Sequence, residues 1–168
     1  MPKKTAFVEY GDLAHIPTPQ PTNTWSPVAH KDVVDVINEA LGMRGIGVQK
    51  QRFEIAADGN KMFASYQLDQ QHNGHCLQIG FRNSLDKSFA VGITAGLYTM
   101  VCSNLVFSGD YVDMRKHTKR LDLDELTMMA FRAVKTLDST HGNMLEQMQR
   151  MSAMPLPQND FKTLTFDA

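Results

Sequence analysis

Apolar residues crowd most densely between Gly80 and Asp110, and the rest of the chain reads as elements leading into and away from that stretch. Ahead of it, Val33, Val34, Ile37, Ala40 and Leu41 recur at helical spacing, with Asp32, Asp35 and Glu39 on the other side. The spacing predicts a helix near 27–41. Ser26-Pro27 reads as its N-cap and first position, and Gly42 as its stop. Val48 to Ile55 then alternates with Gln49, Gln51 and Glu54. Ala57-Asp58-Gly59-Asn60 supplies a hairpin turn, and Met62, Ala64, Tyr66 and Leu68 share one face of the return strand. A polar loop is expected over 69–75, and a third strand carries Cys76, Leu77, Ile79 and Phe81 into a polar turn at Arg82–Lys87.

Phe89 to Cys102 is apolar on both faces and rich in β-branched and aromatic residues, which predicts a long fourth strand inside the sheet. Gly92 and Gly96 within it suggest a bulge, a bend or the close approach of another backbone. The spacing of Ala90, Thr94 and Tyr98 leaves a helix open as the alternative. Asp122, Asp124 and Glu125 suit the N-terminus of a closing helix. Its stripe is Leu126, Met129, Ala130, Ala133, Val134 and Leu137, and it runs to about 150, before Met154-Pro155-Leu156-Pro157. The class expected is α+β: a mainly antiparallel four- to five-stranded sheet with an N-terminal helix and a long C-terminal helix.

Length changes this picture little, since 168 residues suit one domain. Pro17, Pro19 and Pro21 alternate with Thr18, Gln20 and Thr22, so 1–25 reads as an extended Pro/Thr-rich arm. The domain proper spans 26–154, and 155–168 reads as a loosely held tail. Phe7, Val8 and Tyr10 would dock the arm on the body or on a neighbouring subunit, so a homo-oligomer is expected. No apolar run approaches the roughly 20 residues that cross a bilayer. Met1-Pro2-Lys3-Lys4 has no apolar segment behind it, so neither a secretory signal nor membrane contact is expected. Two cysteines, Cys76 and Cys102, both in predicted strands, suit a reducing cytoplasm.

Charge locates the candidate chemistry. Net charge is −1 overall, but residues 80–120 hold 6 basic and 3 acidic groups, an excess of +3. A near-neutral chain argues against indiscriminate binding to DNA while leaving room for a local basic groove. Arg115, Lys116, Lys119 and Arg120 could neutralise phosphates, joined by Arg82 and Lys87 if their turn faces the same way. Tyr98 and Tyr111, with Phe81 and Phe107, could stack on unpaired bases. Asn83, Ser84, Ser103, Asn104 and His117 are the polar residues expected beside that groove. For Asn83 and Asn104 the structural reading is that each ties down its own loop through side-chain-to-backbone bonds.

Other chemistry is weaker. His72, His75 and Cys76 would need Cys102 and His117 from across the fold to complete a metal site. Cys102 with His117 and Asn104 resembles a nucleophile set, but Cys102 follows an apolar run and reads as a packed thiol. Neither Gly-x-Ser-x-Gly nor a phosphate-loop Gly-Lys-Ser/Thr occurs, so no catalytic residue, metal or cofactor is expected. The eleven methionines crowd toward the last helix, either as flexible core or as a binding surface.

Three segments carry a family resemblance: Ser26-Pro27-Val28-Ala29-His30-Lys31, Phe81 to Ser88 (FRNSLDKS), and Val101 to Gly109 (VCSNLVFSG), with Lys116-His117-Thr118 following. Together they resemble the phage- and plasmid-borne domain of unknown function 932 family over roughly 23–140. The resemblance implies a mobile-element setting and no activity. The predicted order of helix, antiparallel strands and helix is also similar to the core of single-strand annealing recombinases. The leading expectation is therefore a protein that binds single-stranded nucleic acid in phage or plasmid replication or recombination. The alternative is a small phage protein that binds and inhibits a host or defence protein without touching DNA.

Overall fold

The computed structural model describes residues 5–72, 75–97, 99–102 and 106–152, with backbone alone at 71, 72, 75, 138–149, 151 and 152. The elements are β1 (Thr5–Val8), a 3-10 turn at Tyr10–His15, α1 (His30–Met43), β2 (Val48–Ala56), β3 (Lys61–His72), β4 (His75–Ser84), β5 (Val91–Gly96), β6 (Met100–Val101), β7 (Phe107–Ser108), β8 (Tyr111–Arg115) and α2 (Leu123–Ser152). Six strands form one sheet in the order β1-β2-β3-β4-β5-β8, with every neighbouring pair antiparallel. The α+β class expected from the pattern is what the chain adopts. Two further strands come from segments that hydrophobic periodicity had left out, the N-terminal arm (β1) and the basic stretch before α2 (β8).

Alternation of side chains assigns the two faces of the sheet. Phe53, Ala64, Phe81, Ile93 and Asp113 stand in register across five strands, and all five are buried. Val33, Ile37 and Leu41 of α1 and Leu126, Met129, Ala133 and Leu137 of α2 complete the core with this face. The Tyr66 and Phe81 rings meet edge to face at 5.1 Å. Each fully buried side chain of this size contributes about 1.5–3 kcal/mol. The opposite face carries Arg52, Ser65, Gly80, Thr94 and Val112 in one row.

The ribbon β6–β7 lies on that opposite face, and glycines make room for it. A Cβ on Gly80 would stand 2.4 Å from Val101 Cγ2, and one on Gly92 would stand 2.9 Å from the Phe107 ring. The close approach expected at Gly92 is therefore that of a side chain. The single long strand expected over 89–102 is instead β5 and β6, separated by a bend. The Leu97 N–H donates to Asp110 Oδ2 at 3.0 Å, which turns the chain out of the sheet. Cys102 consequently follows β6 outside any strand, and its N–H donates to the Val106 carbonyl at 3.2 Å.

Both boundaries of α1 differ from the expectation. The helix starts at His30 after Ala29, three residues beyond Pro27. Ser26 cannot cap it, because its N–H donates to the His117 carbonyl oxygen at 3.2 Å and holds the segment extended. At the other end Gly42 lies inside the helix. The left-handed residue is Gly45, at φ 64. Its N–H donates to the Gly42 carbonyl and the Ile46 N–H to the Leu41 carbonyl, each at 3.0 Å, with Ile46 and Leu41 both buried. That is a Schellman ending, which needs its glycine three residues later than periodicity suggested. Among the described residues no helix is long and apolar enough to cross a membrane.

Candidate functional site

Three segments far apart in sequence meet at the end of the sheet where β4 turns into β5. Asn83, expected in a turn, is the penultimate residue of β4 and is fully buried. Its Nδ2 donates to the Val28 carbonyl at 2.8 Å and to His30 Nδ1 at 3.0 Å. His30 Nε2 lies 3.0 Å from the Gly59 carbonyl oxygen, which can only accept. His30 is therefore the neutral tautomer with its proton on Nε2. Burial is the main cause that lowers its pKa to about 4, and His117 nearby adds to the lowering. Asn83 thus ties down the entry to α1, some 55 residues away, rather than its own loop. The amide cannot turn over, since Val28 offers only an acceptor, and Asn83 Oδ1 is left buried without a partner.

The turn after β4 is built by short polar side chains. Ser84 Oγ donates to the Phe89 carbonyl at 2.8 Å and accepts from the Phe89 N–H at 3.2 Å. The Ser88 N–H donates to Asp86 Oδ1, and the Leu85 N–H to the Asn60 carbonyl. Within this turn Lys87 has φ 62, the only positive φ on a non-glycine residue among those described. A lysine in the left-handed region costs about 1–2 kcal/mol. The turn places the Lys87 ammonium 4.9 Å over the Trp25 ring. Trp25 itself is held by a small loop in which the Thr22 N–H donates to the Trp25 carbonyl and the Trp25 N–H to Thr22 Oγ1.

Between these segments lies a cavity of about 380 Å³, lined by Trp25, Lys87, Ser88, Phe89, Ala90, Lys116, His117 and Thr118. His117 is 5% exposed, and its ring nitrogens are buried without a close hydrogen-bond partner among the described residues. Burial lowers its pKa, and the Ser26 backbone beside the ring works against that lowering. Trp25 Nε1 is also buried without a partner. A second cavity of about 310 Å³ is lined by Arg115, Lys116, Thr118, Arg120, Leu121 and Glu125. Lys116 and Thr118 line both, so the two adjoin.

The pattern described as Domain of unknown function (DUF932) matches residues 20–167. The chain belongs to this family. No curated protein and no solved structure matches the chain, so the likeness to annealing recombinases stays an expectation of topology. In this DUF932 chain the segments that carry the resemblance largely converge. Ser26–Lys31, Phe81–Ser88 and Lys116–Thr118 all contribute to the buried hub or to the cavity. Of the fourth segment, Val101, Phe107 and Ser108 belong to the ribbon on the other face.

The remaining expected residues divide. Lys87, Arg115, Lys116 and Arg120 line the two cavities. Lys119 is exposed in the same turn. Arg82 is not brought to the groove. It points to the ribbon face, its guanidinium 4.9 Å from the Phe89 ring and 4.5 Å from that of Phe107, with burial lowering its pKa. Arg115 is already engaged, its Nη1 2.6 Å from Asp113 Oδ1 and its Nε 3.1 Å from Glu125 Oε1. Tyr111 packs against the core and its hydroxyl donates to Asp113 Oδ2 at 3.3 Å, so it is no free stacking platform. Tyr98, Ser103 and Asn104 lie outside the described residues, as do the side chains of His72 and His75. Cys102 makes no hydrogen bond to His117, whose ring nitrogens are both unpartnered, so the nucleophile arrangement is not formed.

Sequence reasoning missed Trp25 and Phe89 as site residues. Trp25 is the single tryptophan of the chain, directly before Ser26-Pro27, and that position was the available signal.

Proposed function

We propose that the groove formed by the two cavities binds single-stranded nucleic acid. The observation that carries this reading is Trp25 beside Lys87 and Lys116 in one cavity, with Lys116 and Arg120 lining the cavity that adjoins it. Lys116 and Arg120 are exposed and have no carboxylate partner among the described residues. Aromatic surfaces beside cations suit unpaired bases and their phosphates. A duplex keeps its bases stacked and has no use for an aromatic cavity. In a phage or plasmid setting such binding serves replication or recombination. Anisotropy of a labelled single strand and of the matching duplex at low and moderate salt tests the reading. A preference for the single strand, weakened by added salt, is expected. Equal or absent binding of both would end it.

A second reading has its own observation. Val112 and Met114 are 42% and 47% exposed on β8, an edge strand, and suit a protein partner such as a host factor. Val112→Ser with Met114→Gln would abolish such a contact and, adding no charge, leave single-strand affinity unchanged, which co-purification and anisotropy distinguish.

A further inference from the structure

The strand β2 is longer than the strand beside it. β1 pairs only with Phe53–Ala56, Val8 standing opposite Phe53, and the chain then leaves through the 3-10 turn. No strand among the described residues pairs with the outer edge of β2 from Val48 to Arg52, and all five residues there are exposed. A bulge against β3 between Val48 and Lys50 leaves Lys50, Gln51 and Arg52 as the regular part of this open edge. These three, with Phe7 and Val8 at the end of β1, line a cavity of about 600 Å³. The cavity therefore lies where the next residues of a strand in line with β1 would sit. An open edge presents unpaired backbone N–H and C=O groups. Side chains alternate along a strand, so Lys50 and Arg52 project from one face about 6.8 Å apart. Phe7 stands on that same face, 66% exposed, with the Arg52 guanidinium 4.3 Å from its ring. Neither cation has a carboxylate partner among the described residues. Glu9 lines the cavity too, one carboxylate against two cations.

We propose that this edge takes an extended acidic segment of a partner protein, added as a strand end to end with β1. Backbone groups of Lys50–Arg52 pair with the incoming strand, and two acidic side chains at alternate positions stand opposite Arg52 and Lys50. Backbone pairing gives such a contact its affinity, and the alternate side chains give it selectivity. The two cations also decide against a second copy of this chain. Pairing β2 with its own counterpart would set Lys50 and Arg52 against Lys50 and Arg52, and like charges directly opposite destabilise a ladder. A small anion would use the cations and leave the backbone edge idle. The edge is separate from the groove at the β4–β5 turn, so this inference does not rest on the nucleic-acid reading.

The experiment uses the full chain and three labelled peptides of equal length, titrated by anisotropy. One alternates glutamate with threonine and one alternates lysine with threonine. The third has the first sequence with its backbone nitrogens methylated, which keeps the carboxylates and removes the backbone donors. Only the first is expected to bind. Lys50→Glu with Arg52→Glu changes two exposed positions, so the circular dichroism spectrum should be unchanged. This variant should weaken the glutamate peptide at least tenfold and admit the lysine peptide. No binding of the glutamate peptide up to high micromolar concentration overturns the proposal, as does equal binding of its methylated form or equal binding by the variant. A labelled nucleic-acid single strand that loses as much affinity as the peptide in the same variant would assign the edge to nucleic acid and overturn the peptide reading.

Discussion

Asn83→Ala separates a structural asparagine from a ligand-reading one. The substitution strips the donor from two buried acceptors, the Val28 carbonyl and His30 Nδ1. Each orphaned acceptor costs about 1–3 kcal/mol. The change also removes Asn83 Oδ1, itself buried and unpartnered, which returns a similar amount once. Two losses and one gain leave a net cost of about 1–3 kcal/mol. For a chain of this size that corresponds to a fall in melting temperature of roughly 2–12 °C. Urea unfolding followed by far-ultraviolet circular dichroism would read it as a lower midpoint at constant slope. Affinity for single strands, measured under conditions where the variant is folded, should change less than threefold. A midpoint unmoved within error, or a loss of binding without loss of stability, would refute the hub as drawn.

The remaining predictions follow from the same geometry. His30 has a folded pKa of about 4, below its ordinary 6.5, so the unfolded chain binds the extra proton first. Stability should hold above pH 6.5 and fall by up to about 1.4 kcal/mol per pH unit toward pH 4, with the lowered pKa of His117 acting in the same direction. Urea titrations at stepped pH check this, and a flat profile in that window would contradict it. Asp113→Asn with Glu125→Gln releases Arg115 and Arg132 from both of their carboxylates. The pair of changes should tighten single-strand binding and steepen its salt dependence by about 0.7 in log–log slope for each arginine that reaches a phosphate, as anisotropy would show. The outer edges of β1 and β8 have no strand partner among the described residues, so self-association through them is expected. Light scattering that gives a monomer at high micromolar concentration would end that expectation.

The sheet was legible because local pattern and tertiary burial agree there. Met62, Ala64, Tyr66 and Leu68 alternate, and all four are buried on one face. The turn at Asp58-Gly59 was equally plain, with Gly59 at φ 72. What misled was tertiary hydrogen bonding between distant segments. Ser26-Pro27 has the composition of a helix start, but its backbone is spent on His117, 91 residues later. The break after Gly96 depends on Asp110, and no periodicity within 89–102 reports that carboxylate. The arm reads as polar and stiff, yet Thr5–Val8 pairs with β2 through backbone groups that side-chain pattern does not encode. At the candidate site the basic residues could be read from charge alone. Which of them stay unpaired could not, since Arg115 and Lys116 are adjacent in sequence and only Arg115 meets Asp113 and Glu125. Trp25 and His117 became a pair only once the chain was folded around them.

The most direct test of the central claim is the salt dependence of single-strand affinity in the wild-type chain and in Lys87→Gly/Lys116→Ala/Arg120→Ala. Each phosphate neutralised on a single strand contributes about 0.7 to the slope of log affinity against log salt. Loss of the three cations lining the groove should therefore flatten the slope by about 2 and weaken binding at low salt. An unchanged slope and affinity in the triple variant, with its fold intact, would contradict the account.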